Sequence, residues 1–239
     1  MMAELFGRTT GICGGKGGSM HIADFSVGML GANGIVGGGF GIATGAALAL
    51  RIRGSDGVVL CFFGDSALNQ GAFLENANYA ALHRLPVIYV CENNGFAMSM
   101  RSARATALEQ LADRALAFGF PGITVDGMDP IATHAVVRDA AARARDGAGP
   151  SLVVADCYRF SGHHVSDTQN YRVADEDAAW QLRDPLTALR GRLRDAGWLS
   201  DEAAMAIEGD AARLVEDAVT AAEAAPEAKP EDAFSDIDA

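Results

Sequence analysis

The sequence predicts an α/β fold with a mostly parallel sheet and helices on both faces. Three observations predict it. Residues 57–63 (GVVLCFF), 87–91 (VIYVC) and 151–158 (SLVVADCY) are short apolar runs that end at turn or polar residues. Runs so uniformly apolar suit strands covered on both faces, not strands with one wet side. Segments of helical length separate them, and this alternation of strand and helix is the pattern of a parallel sheet. With 239 residues, nearly half of them hydrophobic, the chain is long enough to close a real core.

Each element follows in order. Residues 1–35 are irregular and rich in glycine. Residues 36–53 (VGGGFGIATGAALALRIR) read as a helix that is apolar almost all round and therefore buried. After the strand at 57–63, residues 67–83 read as a helix with Phe73, Leu74, Ala77, Ala80 and Ala81 on one side. Leu85-Pro86 breaks it before the strand at 87–91. Residues 92–106 form a polar loop, 107–118 a helix, 122–125 a short strand and 130–146 another helix. Gly149-Pro150 punctuates before the strand at 151–158, and 160–173 is a long polar loop. Two or three helices span 175–224, and the end, 225–239, is expected to fray. This divides the chain into an α/β domain at 1–200 and a C-terminal helix with an acidic tail at 201–239.

Charge and composition exclude several classes. The formal net charge is −12, and the stretch 201–239 holds twelve acids against two bases. The rest is near neutral, so no basic stripe is available for nucleic acid. Cys13, Cys61, Cys91 and Cys157 form no CxxC and no metal spacing; they read as buried inert thiols in a reducing cytoplasm. Residues 25–50 carry no charge, but eight glycines and Asn33 fall among them. That composition favours a Gly-rich loop and helix over a membrane span. No secretory signal pattern opens the sequence.

Ligands in such folds sit at the carboxyl edge of the strands. Asp65 lies just past the first strong strand, and Asn93 and Asn94 just past the second. One helix joins the two strands, so they run parallel and their loops emerge together. The loop after the third strand carries His163 and His164. A carboxylate, an amide oxygen and loop carbonyls are hard donors that suit Mg²⁺ or Ca²⁺ rather than zinc. Mg²⁺ prefers to share its shell with phosphate oxygens, and the small residues Ser66 and Ala67 open a helix whose first N–H groups would receive them. Asp-Ser before a helix is also an ordinary N-cap, and Asn-Asn-Gly an ordinary turn. Their convergence on one edge favours a Mg²⁺–diphosphate site. Nucleotide motifs fail on spelling: in GICGGKGGS, Lys16 is followed by Gly17, and no GxGxxG follows a strand.

The span from Asp65 to Asn94 is similar to the thiamine-diphosphate motif, GDG followed by a long gap and NN. The phrases FGRTTGICGGKGGSMHIADF, GANGIVGGG, GDSALNQG, LPVIYVCENNGFAMS, VDGMD and YRFSGHHVSD resemble the α subunit of the thiamine-diphosphate-dependent decarboxylating component of 2-oxo acid dehydrogenase complexes, in its pyruvate and acetoin branches. The resemblance implies the thiamine-diphosphate-binding fold, with Asp65, Asn94 and the Phe96 carbonyl on Mg²⁺. It implies Gly64, Ser66 and Ala67 at the diphosphate, Gly34, Ile35 and Val36 at the aminopyrimidine, and His163 on the diphosphate as the catalytic residue. The loops at 98–106 and around His163 would fold over the cofactor. The family's cofactor lies between α and β chains, so a β subunit, in a heterotetramer, is implied. That β chain holds the glutamate that drives the cofactor's tautomer, and a lipoyl-bearing acyltransferase receives the product group. The expected activity is oxidation of a 2-oxo acid or acetoin. The alternative is a non-catalytic relative that only binds a β-like partner. Three departures stand out: Ser66 replaces the last glycine of GDG, His164 stands where regulated relatives carry a phosphorylatable serine, and the family's N-terminal helical segment with its Tyr-Arg pair is expected upstream or on another chain.

Overall fold

The structure, a computed structural model, describes residues 1–235. In chain order the helices and strands are α1 (Met2–Leu5), α2 (Gly38–Ile52), β1 (Val59–Gly64), α3 (Gly71–Leu82), β2 (Val87–Asn93), β3 (Phe96–Ala97), β4 (Met100–Arg101), β5 (Gly122–Asp126), α4 (Pro130–Arg145), β6 (Ser151–Asp156), α5 (Ala174–Gln181), α6 (Pro185–Asp195) and α7 (Asp201–Ala224). They form two compact units: residues 1–35 with the chain from Leu193 onward, and residues 36–192.

The second unit is built on a four-stranded sheet, β1-β2-β6-β5, in which every neighbour pair is parallel. Helices cover both faces of β2 and β6, but the edge strand β1 departs from the expectation of burial on both sides: its Leu60 and Phe62 are exposed, because no helix among the described residues covers that end of the face. Tyr89, Cys91, Cys61 and Leu152 point toward α2, α3 and a 3-10 helix at Leu111–Phe118. Ile88, Val90, Val153 and Val125 point toward α4. The centre of the first layer is a cluster of rings: Phe40 meets Phe73 at 5.3 Å and Tyr89 at 6.0 Å, both edge-on. Tyr89 is fully buried, and its hydroxyl donates to the Asn76 carbonyl at 3.3 Å and lies 3.2 Å from Thr44 Oγ1. Burial pushes its pKa up to about 12, so it stays a neutral donor. Gly122 opens β5 where the chain passes closely over the 3-10 helix; a Cβ there would overlap the Ala112 carbonyl.

Several elements differ from the sequence reading. Helix α2 buries one face only, through Phe40, Ala43, Thr44 and Ala47, while Ile42 and Ile52 are exposed. The sheet of this chain can cover a single side of it, and a uniformly apolar helix gives no sign of which side. The helix expected at 67–83 is split: a 3-10 turn, Asp65–Asn69, precedes α3. Where a helix is expected at 107–118, only Leu111–Phe118 is helical, and as a 3-10 helix instead of an α-helix; the loop at 92–106 contains the β3–β4 hairpin. The expected fraying also fails up to Ser235. Pro230–Phe234 forms a 3-10 turn, Asp232 accepts from the Lys229 N–H at 2.7 Å, and Lys16 Nζ donates to Ser235 Oγ at 2.6 Å. Residues 236–239 lie outside the described part.

All four thiols are free. Burial pushes Cys61 up to about 12 and Cys157 up to about 11, which keeps both protonated. Cys13 is half-buried and donates to the Ala23 carbonyl. Among the described residues, no helix is long and apolar enough to cross a membrane.

In the first unit, the Gly-rich segment is organised by one carboxylate. Glu4, 1% exposed on α1, accepts four backbone N–H groups: Cys13 at 2.9 Å and Gly15 at 2.8 Å on Oε2, Gly17 at 2.6 Å and Gly18 at 3.1 Å on Oε1. A glycine-rich chain has no side chains with which to fold itself, so a buried anion ringed by amides supplies the order. Burial alone would raise the Glu4 pKa, but the N–H groups of Gly15, Cys13, Gly17 and Gly18 together bring it below its ordinary value.

Replacing this carboxylate by an amide turns one acceptor into a donor that faces two N–H groups. Glu4→Gln should therefore destabilise the protein by about 2 kcal/mol in urea unfolding at pH 7. The folded pKa lies below the unfolded one, so the wild-type contribution is complete above the unfolded value of about 4.3 and is lost as pH falls below it. The gap between the two proteins should narrow across that range.

Candidate functional site

Because β1, β2 and β6 are parallel, they end on one edge, and the register sets what meets there. Gly64 pairs with Glu92, so Asp65 is level with Asn93, which in turn pairs with Asp156. Asp65 opens the 3-10 turn and is only 2% exposed. Its Oδ2 accepts from the Ser102 hydroxyl, and among the described residues no cationic side chain pairs with it. Ser66 lies beside it, with a buried hydroxyl oxygen that has no hydrogen-bond partner among the described residues. Ala67 is buried beneath the turn. Ser66 does not adopt a left-handed backbone, so a serine in place of glycine adds no strain.

The two asparagines do different work. Asn93, still within β2, donates through Nδ2 to Asp156 Oδ1 at 2.7 Å and ties β2 to β6. Asn94 leaves the sheet, and its Oδ1 accepts from the Phe96 N–H at 3.1 Å. Gly95 takes a φ of +77°, which lets the chain reverse at once. Phe96 is buried, with the Arg101 guanidinium over its ring at 4.9 Å.

The β3–β4 hairpin that follows turns at Met98, whose φ of +54° is unusual for a side chain of that size. The Met98 carbonyl accepts from Arg159 Nη2 at 2.9 Å. Arg101 forms a two-pronged pair with Glu176 of α5, at 3.2 and 2.6 Å. The hairpin and the segment after β6 are thus cross-linked at two points, and Phe96 and Tyr171 add a ring contact at 5.3 Å.

Residues 160–173, a loop in the sequence reading, are stitched internally. Asp167 Oδ2 accepts from the Tyr171 hydroxyl at 2.6 Å and from the His163 N–H at 2.7 Å, and Oδ1 accepts from the Gln169 N–H at 2.9 Å. The Tyr171 hydroxyl first, then those two N–H groups, hold the Asp167 carboxyl well below the usual carboxylate range. Arg159 Nη1 stands 3.3 Å from His163 Nδ1. A guanidinium has no acceptor, so Nδ1 must accept, and the ring proton belongs on Nε2. His163 and His164 are both exposed, and His164 Nδ1 accepts from the Ser166 N–H.

Beside the Asn94–Phe96 turn, a cleft of about 500 Å³ is lined by Asn93, Asp126, Asp156, Glu176, Trp180 and Arg183. Asp65, Ser66, Asn94, Phe96 and His163 all belong to the second unit, as does Val36; Gly34 and Ile35 close the first. There the Ile35 N–H donates to Asn33 Oδ1 at 2.8 Å, and a Cβ on Gly34 would sit 3.1 Å from His21 Cε1. Gly64 is extended, with φ −76°. Sequence reasoning passed over Ser102, Arg101, Glu176 and Arg159. Their partners lie far along the chain, and no period or spacing announces such pairs.

The family model for the dehydrogenase E1 component matches residues 1–231. The chain is 47% identical to the α subunit of acetoin:2,6-dichlorophenolindophenol oxidoreductase from Cupriavidus necator, over 99% of this chain and 72% of that one. It is 45% identical to the protein of that name from Bacillus subtilis, over 99% and 71%. The α subunit of the pyruvate dehydrogenase E1 component from Rhizobium meliloti is 40% identical, over 99% and 68%. These matches, together with the parallel sheet, define a class, the thiamine-diphosphate-dependent oxidoreductases. Within it, the chain belongs to the family of dehydrogenase E1 components.

The Asp167 knot generates a local expectation. In Tyr171→Phe the Asp167 carboxyl should titrate closer to the ordinary value of about 3.9, as read by NMR. Proteolytic nicking within 160–170 should speed up several-fold while the sheet stays intact.

Proposed function

We propose that this chain is the α subunit of a thiamine-diphosphate-dependent dehydrogenase acting on acetoin or a 2-oxo acid, and that the edge at Asp65 and Asn94 anchors Mg²⁺ and the diphosphate. One observation carries the site reading: Asp65 is a buried carboxylate with a neutral hydroxyl as its partner and no cation paired with it among the described residues. A buried anion left in that state is costly, and a divalent cation relieves it. The donor set fits the ion. Asp65, the Asn94 amide oxygen and the Phe96 carbonyl are hard oxygen ligands, and they leave room for phosphate oxygens. The unpartnered Ser66 hydroxyl beside Asp65 fits a polar ligand in the same place.

Each residue then has a task. Asp65, Asn94 and the Phe96 carbonyl hold the cation. The turn from Gly64 through Ser66 and Ala67 offers backbone N–H groups to the diphosphate, since the first N–H groups of such a turn lack partners within it. Gly34, Ile35 and Val36 receive the aminopyrimidine. His163 presents Nε2–H to the diphosphate, with Arg159 fixing its tautomer. Thiamine diphosphate, when bound, supplies a carbon nucleophile and an electron sink. The hairpin and the 159–173 segment exclude water above it.

A β subunit completes the site in a heterotetramer, and a lipoyl-bearing acyltransferase accepts the product group. The names of the relatives support an α role. The uncovered side of α2, and Phe62 of the edge strand at 63% exposure, provide apolar surface for partner chains. The free thiols suit the reducing cytoplasm.

Calorimetry on the chain assembled with its β subunit tests the anchor. Asp65→Ala should abolish Mg²⁺-dependent binding of thiamine diphosphate while circular dichroism stays that of the wild type; unchanged affinity would remove Asp65 from the site. His163→Ala should slow turnover by about tenfold to a hundredfold, the worth of a charge-assisted hydrogen bond. Normal rates would reduce it to a loop residue.

A further inference from the structure

Ser102 joins the two halves of the candidate cation site. Its hydroxyl donates to Asp65 Oδ2, and its backbone N–H donates to the Gly95 carbonyl at 2.9 Å, between Asn94 and Phe96. Its own carbonyl accepts from the Ala105 and Thr106 N–H groups at 2.9 and 3.0 Å. The short turn thus formed is fastened to the Asp65–Asn69 turn from outside. Asn69 Nδ2 donates to the Ala105 carbonyl at 3.2 Å and to Thr106 Oγ1 at 3.1 Å. Arg114 donates to the Leu68 carbonyl at 2.7 Å and to Asn69 Oδ1 at 2.5 Å. Ser102 is therefore held from several directions, and its hydroxyl has a fixed place relative to both Asp65 and the 94–96 turn.

A hydroxyl has one proton to donate. Spent on Oδ2, that proton sets the rotation of the carboxylate and leaves Oδ1 without a partner among the described residues. The donor is also neutral. An arginine or lysine in its place would orient the carboxylate but cancel its charge, whereas serine orients it and leaves the full charge for an incoming cation.

We propose that Ser102 is a positioning residue for the divalent cation: it presents Asp65 Oδ1 to the ion and sets the spacing between Asp65 and the Asn94–Phe96 turn. The inference rests on the reading of Asp65, Asn94 and Phe96 as the cation ligands.

The test is a Mg²⁺ titration by calorimetry at saturating thiamine diphosphate, on the chain assembled with its β subunit, for wild type, Ser102→Ala and Ser102→Thr. Ser102→Ala should weaken Mg²⁺ by 10- to 100-fold, the usual effect of removing a group that orients a metal ligand, and Ser102→Thr should restore it to within about threefold. With Mn²⁺ in place of Mg²⁺, the electron paramagnetic resonance lines should broaden in Ser102→Ala alone. Affinity in Ser102→Ala equal to the wild type would overturn the proposal. Tighter binding would overturn it too, by showing that Ser102 competes with the ion. If Ser102→Ala does not assemble, Ser102→Cys, isosteric with a weaker donor, should fall between wild type and no binding, and wild-type affinity there refutes the role. A wild-type complex that binds the cofactor without any Mg²⁺ dependence sinks the site reading itself, and this inference with it; that outcome is visible before any variant is measured.

Discussion

A carboxylate taken out of water at the end of β1 is the constraint around which the second unit is arranged. Asp65 is almost fully covered, yet the protein gives it a hydroxyl instead of a cation. Everything that surrounds it can be read as the means of keeping it there. The parallel sheet brings β1 and β2 to a common edge, and the ring cluster of Phe40, Phe73 and Tyr89 holds that edge to the helices behind it. The turn at Asn94–Phe96 and the turn at Ser102–Arg104 close over the acid from the side. Such a geometry stores an electrostatic deficit that a divalent ion would relieve, which is why the deficit itself carries the functional reading.

The first unit solves the opposite problem with the same kind of group. Glu4 is as thoroughly buried as Asp65, but four amides surround it. Its charge is spent on ordering a segment of chain and is not available to a ligand. Two buried carboxylates in one protein thus differ in their surroundings: four amide N–H groups ring one, and a single neutral hydroxyl meets the other.

Much of this architecture is legible in the sequence. Strands at 57–63, 87–91 and 151–158 announce themselves as unbroken apolar runs, and the acid and amide at their ends follow from where those runs stop; burial on both faces explains the last two, whereas β1 leaves Leu60 and Phe62 exposed. Other features are not legible, for physical reasons. Helix α2 is apolar all round, so nothing in its pattern tells which face meets the sheet and which is left for another surface. The 3-10 form of Leu111–Phe118 depends on tight tertiary packing, including the close passage of Gly122, and not on its residues' own preferences. Ser102 reaches Asp65 across 37 positions and Arg101 reaches Glu176 across 75, so these ties exist only after the chain has folded.

The bond from Arg159 to the Met98 carbonyl has a mechanical meaning. Met98 sits in a backbone conformation that costs energy for a side chain of its size, so the hairpin tip tends to relax when nothing restrains it. The restraint is a guanidinium that also grips Tyr171 and the His163 ring, on a different stretch of chain. One side chain thus fastens the hairpin tip to the histidine segment, beside the Arg101–Glu176 pair and the Phe96–Tyr171 ring contact.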